Sequence, residues 1–189
     1  MGRMSIRQLS VTYQAQQDRI LLRVATADSR EMRLWLTRRL LRGLWPLLRR
    51  TQVEHGPDAT TPRGAVATPE ARQMLAQARR QAFLQRADLE TPFQEGASRP
   101  LGEEPMLAAE VGVTPLAEGR LRLGFSESRG SAPHRAFEME LDPSLVQGLM
   151  HLLEQALGQS QWQLPFAPAA DAPAAAAEDE PQARPRYLN

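Results

Sequence analysis

The chain repeats itself. Placing residue n over residue n + 105 superimposes two stretches without a gap, so that Met32, Leu34, Leu36 and Thr37 fall on Phe137, Met139, Leu141 and Asp142. Further on, Leu40, Gly43, Leu44, Leu47 and Leu48 meet identical residues at Leu145, Gly148, Leu149, Leu152 and Leu153, while Leu41 meets Val146 and Trp45 meets Met150. Upstream, Asp18-Arg19-Ile20-Leu21-Leu22 matches Gly119-Arg120-Leu121-Arg122-Leu123, and Val11-Thr12 matches Val113-Thr114 once loop lengths adjust. Such a duplication predicts two copies of one unit. Each copy is too small to bury its own apolar surface, so the two are expected to pair within one chain or between chains.

The unit reads as three strands and a helix. In the first copy, Gln8 to Tyr13, Arg19 to Ala25 and Arg30 to Leu36 alternate apolar and polar residues at the period of a half-buried strand. Leu9, Val11 and Tyr13, then Ile20, Leu22 and Val24, then Met32, Leu34 and Leu36 share the expected inner face. Gln14 to Asp18 and Thr26 to Ser29 supply turn residues, and Thr37 is the expected N-cap of a helix running to about Arg50. In the second copy, strands at Leu107 to Thr114, Arg120 to Ser126 and Ala136 to Leu141 lead to Asp142, an N-cap, and Pro143 at the first helical position. That last helix is expected to end near Leu157.

The predicted fold class is therefore α+β, a duplicated βββα unit forming a two-sheet or clamp-like domain. The first copy covers residues 1–50 and the second 106–159. Residues 51–105 are a linker containing a surface helix over 69–87, opened by Thr68 and Pro69 and carrying a thin stripe of Ala71, Met74, Leu75, Ala78 and Ala82. Residues 160–189 are rich in Pro and Ala and are expected to form a disordered tail. Within it, Trp162, Leu164, Pro165 and Phe166 make an apolar island and Glu178-Asp179-Glu180 an acidic one. The order of elements is similar to that in the heads of the DNA-end-joining and centriole-cartwheel scaffold families, without the long coiled coil that follows those heads. In its other aspect, strands then a helix in duplicate, it resembles the single-strand-binding whirly and PUR-type repeats. Both similarities are carried by element order alone.

Composition removes several chemistries. All 23 basic residues are Arg and there is no Cys, which excludes lysine Schiff bases, a P-loop lysine, thiol catalysis, disulfides and thiolate metal sites. The three histidines, His55, His134 and His151, show no metal-ligand spacing, and no nucleophile motif or glycine-rich phosphate loop is recognisable. Hence no catalytic residues, cofactor or metal are expected. No apolar run long enough for a membrane span and no signal-peptide stretch at the start give the expectation of a cytoplasmic protein without membrane contact.

Charge is where the copies part. The net charge of +1 conceals eleven arginines against Asp18, Asp28 and Glu31 in residues 1–50, a local +8, while residues 101–189 carry six arginines against thirteen acids, a local −7. The first helix places Arg38, Arg39, Arg42, Arg49 and Arg50 on its polar arc, and the matching arc of the second helix has none. Folding the unit therefore does not require them. On the outer face of the first sheet the alternation places Arg19, Arg23, Arg33 and Trp35, where the second copy has Arg120, Arg122, Glu138 and Glu140, able to neutralise one another across strands. Arginine beside an exposed aromatic suits a protein interface, and equally phosphate contact with base stacking. The expected function is a non-enzymatic adaptor or scaffold binding a protein through this Arg/Trp surface; the alternative is a nucleic-acid-binding protein contacting phosphates. Homodimerisation stays open, as does an ordinary solvated basic face.

Overall fold

A computed structural model describes residues 5–54, 68–85, 87, 91–127 and 135–162. The architecture is α+β, with a four-stranded and a three-stranded sheet and three helices. Strand β1 (Ile6–Gln14) pairs antiparallel with β2 (Arg19–Thr26), and β2 with β3 (Glu31–Leu36). Two tight turns allow this meander. Asp18 and Ser29 take positive φ values of 47° and 59° at the turns, a conformation that a short polar side chain tolerates. Thr26 fixes the second turn by donating Oγ1 to Asp28 at 2.5 Å.

Helix α1 (Arg38–Glu54) starts one residue after β3 ends. Thr37 accepts from the Leu40 amide at 3.2 Å, an N-cap that satisfies one of the donors a helix start leaves unpaired. Beyond α1 comes α2 (Pro69–Leu84), capped by Thr68 through the Ala71 amide at 3.3 Å. The second sheet is a meander of β5 (Glu110–Pro115), β6 (Leu121–Ser126) and β7 (Ala136–Leu141), with a single 3-10 turn at Ala117–Gly119. Helix α3 (Pro143–Gln159) follows, with Asp142 accepting from the Leu145 amide at 2.8 Å.

The two-residue strand β4 (Met106–Leu107) lies parallel to β3 in the first sheet. The continuous strand expected from Leu107 to Thr114 is thus divided between sheets. Met106 is fully buried beside Leu34, the Ala108 amide donates to the Trp35 carbonyl, and the next amide, of Ala109, donates to Ser126 in the second sheet. Two small residues make the crossing.

Both sheets turn their alternating apolar faces to one core. It runs from Val11, Ile20, Leu22, Val24, Met32, Leu34 and Leu36 through Leu121, Leu123, Phe125, Phe137, Met139 and Leu141. In this core α1 lies against β5 of the second sheet, and α3 against β1 of the first sheet and β7 of the second. Leu41, Leu44 and Leu48 of α1 and Leu149, Leu153 and Leu157 of α3 are all nearly inaccessible to solvent. Leu47 of α1, by contrast, is 46% exposed.

Helix α2 presents a different face from the one its apolar stripe suggests. Met74 is 71% exposed, and Leu75, Ala78 and Ala82 also face solvent. Instead Phe83 reaches α3, where a Cβ on Gly148 would lie 3.2 Å from its ring, and Arg80 pairs with Glu154. Gly148 is therefore a seat for an aromatic ring. Gly43, which the n + 105 shift places over it, has open space around it.

Candidate partner-binding surface

The register of the first sheet sets the candidate residues in rows. Ser10, Arg23 and Arg33 are neighbours across three strands; Thr12, Leu21, Trp35 and Leu107 form the next row, and Gln14 and Arg19 the last. Side chains of these rows share the face away from the core.

The first row is covered by the segment from Thr91 to Arg99, which lies across the sheet as a strap. Gln8 Nε2 donates to the carbonyls of Thr91 and Pro92 at 3.3 and 3.1 Å, and Gln8 Oε1 accepts from the Gln94 amide at 2.9 Å. Arg7 bonds Gln94 from β1. The Ala97 amide donates to Ser29, and the Glu31 amide to Ser98, forming a parallel bridge between Arg30 and Ser98.

Arg23 is the hub of this strap. Its Nε meets Glu31 at 2.8 Å, its Nη2 meets Glu95 at 2.9 Å, and its guanidinium stands 4.2 Å from the Phe93 ring centroid, within cation–π range. Glu31 is buried, and its second oxygen accepts the Gly96 amide at 3.2 Å. Burial pushes the Glu31 carboxyl upward, but Arg23, the Gly96 amide and the nearby Arg33 together hold it below the usual carboxylate value. Gly96 has no alternative. A Cβ there would come within 2.7 Å of the Glu31 backbone nitrogen.

Arg33 donates to the carbonyl of Glu103 in the segment leading to β4. Two of the three sheet arginines thus hold the connecting chain in place. Trp35 and Arg19 remain half-exposed, with Trp35 set between Leu21 and Leu107, the latter 39% exposed.

The helix arginines are arranged differently. Arg38, Arg39, Arg42 and Arg50 are exposed on α1 and Arg49 is half-buried. Among the described residues, no ion pair engages Arg39 or Arg42, and Arg38 has only the Asp18 carboxylate in its vicinity. The second sheet shows the opposite condition. Arg122 meets Glu140 at 2.7 Å and Glu138 at 3.2 Å, Arg120 meets Glu140 at 3.7 Å, and Arg135 pairs with Glu127. Cross-strand neutralisation, expected from the alternation, is what the geometry shows there.

A further cluster lies at the β1–β2 turn. Asp18 accepts from Tyr13 Oη at 2.8 Å and from Trp162 Nε1 at 2.5 Å, and the two aromatic rings meet edge to face at 5.8 Å. Bonds from Tyr13 and Trp162, with the charge of Arg38, hold the Asp18 carboxyl below its ordinary value, and the same bond raises the Tyr13 phenol. Trp162 is buried, and Ser160 caps α3, so the folded body extends into the stretch expected as tail from residue 160. The remainder of that tail, His55, His134 and the acidic run at 178–180 lie outside the described residues.

Among the described residues no three metal-ligating side chains gather, and no helix is long and apolar enough to cross a membrane. In comparisons with known proteins, no family model, curated protein or solved structure matches the chain.

Proposed function

We propose that the chain is a non-enzymatic adaptor or scaffold that binds an acidic protein partner through the guanidinium face of α1 and the Trp35 surface of the first sheet. The observation carrying this reading is a contrast: among the described residues Arg39 and Arg42 stand exposed without an ion pair, while the arginines of the second sheet are matched by carboxylates. Unmatched guanidinium groups attract anionic surfaces and orient carboxylates through paired N–H donors. Trp and Arg are also the residue types most often found carrying binding energy at protein interfaces.

A protein partner is favoured over nucleic acid by what surrounds the tryptophan. Leu21 and Leu107 flank Trp35 in the same row, giving an apolar island suited to a protein side chain. The common element order of the two halves, with matched N-caps at Thr37 and Asp142, further supports descent from one duplicated βββα unit in which the first copy acquired the arginines.

Titrating the protein with an acidic, leucine-containing peptide and with a single-stranded oligonucleotide over a range of salt tests this. The expected result is peptide binding that Trp35→Ala weakens about tenfold, as for an interface anchor, and that R38E/R39E/R42E abolishes. An oligonucleotide bound more tightly than the peptide, with log affinity falling steeply against log salt, replaces this reading with the nucleic-acid one. Binding of neither overturns both.

A further inference from the structure

We propose that the outward face of α1 around Gly43 is a docking seat for an amphipathic helix of the partner, one that lays an aromatic ring on the glycine and, a turn later, offers carboxylates to Arg42 and Arg39. The inference rests on the acidic-partner reading above and names the shape of that partner. Its basis is a comparison within the molecule. Helices α1 and α3 each have 17 residues, and the n + 105 shift lays Arg39, Arg42, Gly43, Pro46 and Leu47 over Ser144, Gln147, Gly148, His151 and Leu152.

On α3 this row is covered by α2. The Phe83 ring sits where a Cβ on Gly148 would lie 3.2 Å from it, and Arg80, one turn earlier on α2, donates to Glu154 at 2.9 Å. Gln147, Gly148, His151 and Leu152 are all half-buried. Because Arg80 precedes Phe83 while its partner Glu154 follows Gly148, the order of these contacts is antiparallel.

On α1 the same row is bare. Arg39, Arg42, Gly43, Pro46 and Leu47 are all exposed, and a Cβ at Gly43 would meet no atom within 4 Å among the described residues. Helix α2 also lies beside α1, but it leaves this row open. Residues three and four apart are neighbours on a helix surface, so Gly43, Pro46 and Leu47 form one small apolar patch with Arg39 and Arg42 at its N-terminal end. Neither of these guanidinium groups has an ion pair among the described residues. An occupant running in the antiparallel sense places its aromatic over Gly43, an aliphatic side chain one turn earlier against Leu47, and acids one turn later at Arg42 and Arg39. Charge decides between occupants. Helix α2 of a second copy does not suit the seat, since the shift puts Arg49 where α3 has Glu154, and the copy's Arg80 would face another guanidinium.

Three synthetic helical peptides test this on the full chain: one carrying Leu, Phe and two Glu at these spacings, one with Ala in place of Phe, and one with Gln in place of both Glu. The Ala peptide is expected to bind about tenfold more weakly than the Phe peptide, the scale of losing an aromatic anchor. Gly43→Gln should cost the Phe peptide the same factor and the Ala peptide nothing, a non-additivity that marks a shared contact. The variant should keep the parent circular dichroism spectrum, because its side chain enters open space and glutamine favours helix over glycine. Equal affinity for the Phe and Ala peptides, with binding of both lost in R39E/R42E, overturns the seat and leaves the acidic-partner reading standing. Binding that needs Phe and Gly43 but ignores both the Gln exchange and R39E/R42E supports the seat and removes the acidic partner. A parent protein that self-associates, and that Gly43→Gln returns to the monomer, gives the seat to a second copy and overturns the proposal.

Discussion

Asp18 does three things with one carboxylate: it accepts the Tyr13 hydroxyl, accepts the Trp162 indole, and lies near Arg38. All three favour the ionised form, so its folded-state value lies below that of the unfolded chain, near 3.9 for an ordinary aspartate. The stability it contributes is therefore fully present above about pH 4 and is lost as pH falls through the lower folded value. Asp18→Asn should lower the melting temperature at neutral pH and converge with the parent protein in strong acid, with Trp162 emission shifting to the red in the variant. At position 96 the constraint is steric. Gly96→Ala forces a methyl group onto the Glu31 backbone and should cost about 1–3 kcal/mol, the range for overpacking, while limited proteolysis shows earlier cleavage within Thr91 to Arg99. None of this was legible at single residues. Arg23 and Arg33 alternate correctly for an outer face, but their partners lie about seventy positions away, and alternation carries no information about what later crosses that face.

Elements were far more legible than surfaces. Strand alternation in β2, β3, β6 and β7 and the caps Thr37, Thr68 and Asp142 are written locally, because a pleat and a helix start each depend on residues a few positions apart. The break between β4 and β5 was hidden for the opposite reason. Met106-Leu107-Ala108-Ala109 reads as the start of a strand, and only the pull of the core beside Leu34 assigns its first half to another sheet. Helix α2 shows the same limit, since its Ala/Met stripe predicts one buried face and the seat at Gly148 selects another through Phe83. Trp162 sits in a composition typical of tails, and its only sequence signal is a large aromatic one turn beyond α3. The caps can be tested directly: Asp142→Ala should destabilise the protein by about 1 kcal/mol in urea unfolding, while Asp142→Asn, whose side-chain oxygen still accepts the Leu145 amide, should keep most of the stability.

At the scale of the whole molecule the helix placements decide the behaviour. With α1 against β5 and α3 against β1, Leu44 and Leu149 close one interior shared by both sheets. Either Leu44→Asp or Leu149→Asp should therefore unfold both sheets together. A buried, unpaired carboxylate at such a site costs several kcal/mol, comparable with the entire stability of a small domain. Circular dichroism and Trp fluorescence should then report a single coincident transition in milder substitutions such as Leu44→Ala. Two separate transitions, or loss of only one sheet, would contradict the shared interior.

The clasped arrangement also bears on what a protease could accomplish. A cut between Glu54 and Thr68 severs the peptide but leaves each fragment gripping the other, because α1 of one piece rests on β5 of the other and α3 on β1. The nicked pair would migrate as one particle until denatured, and either piece expressed by itself would lack a surface on which its helix is meant to rest.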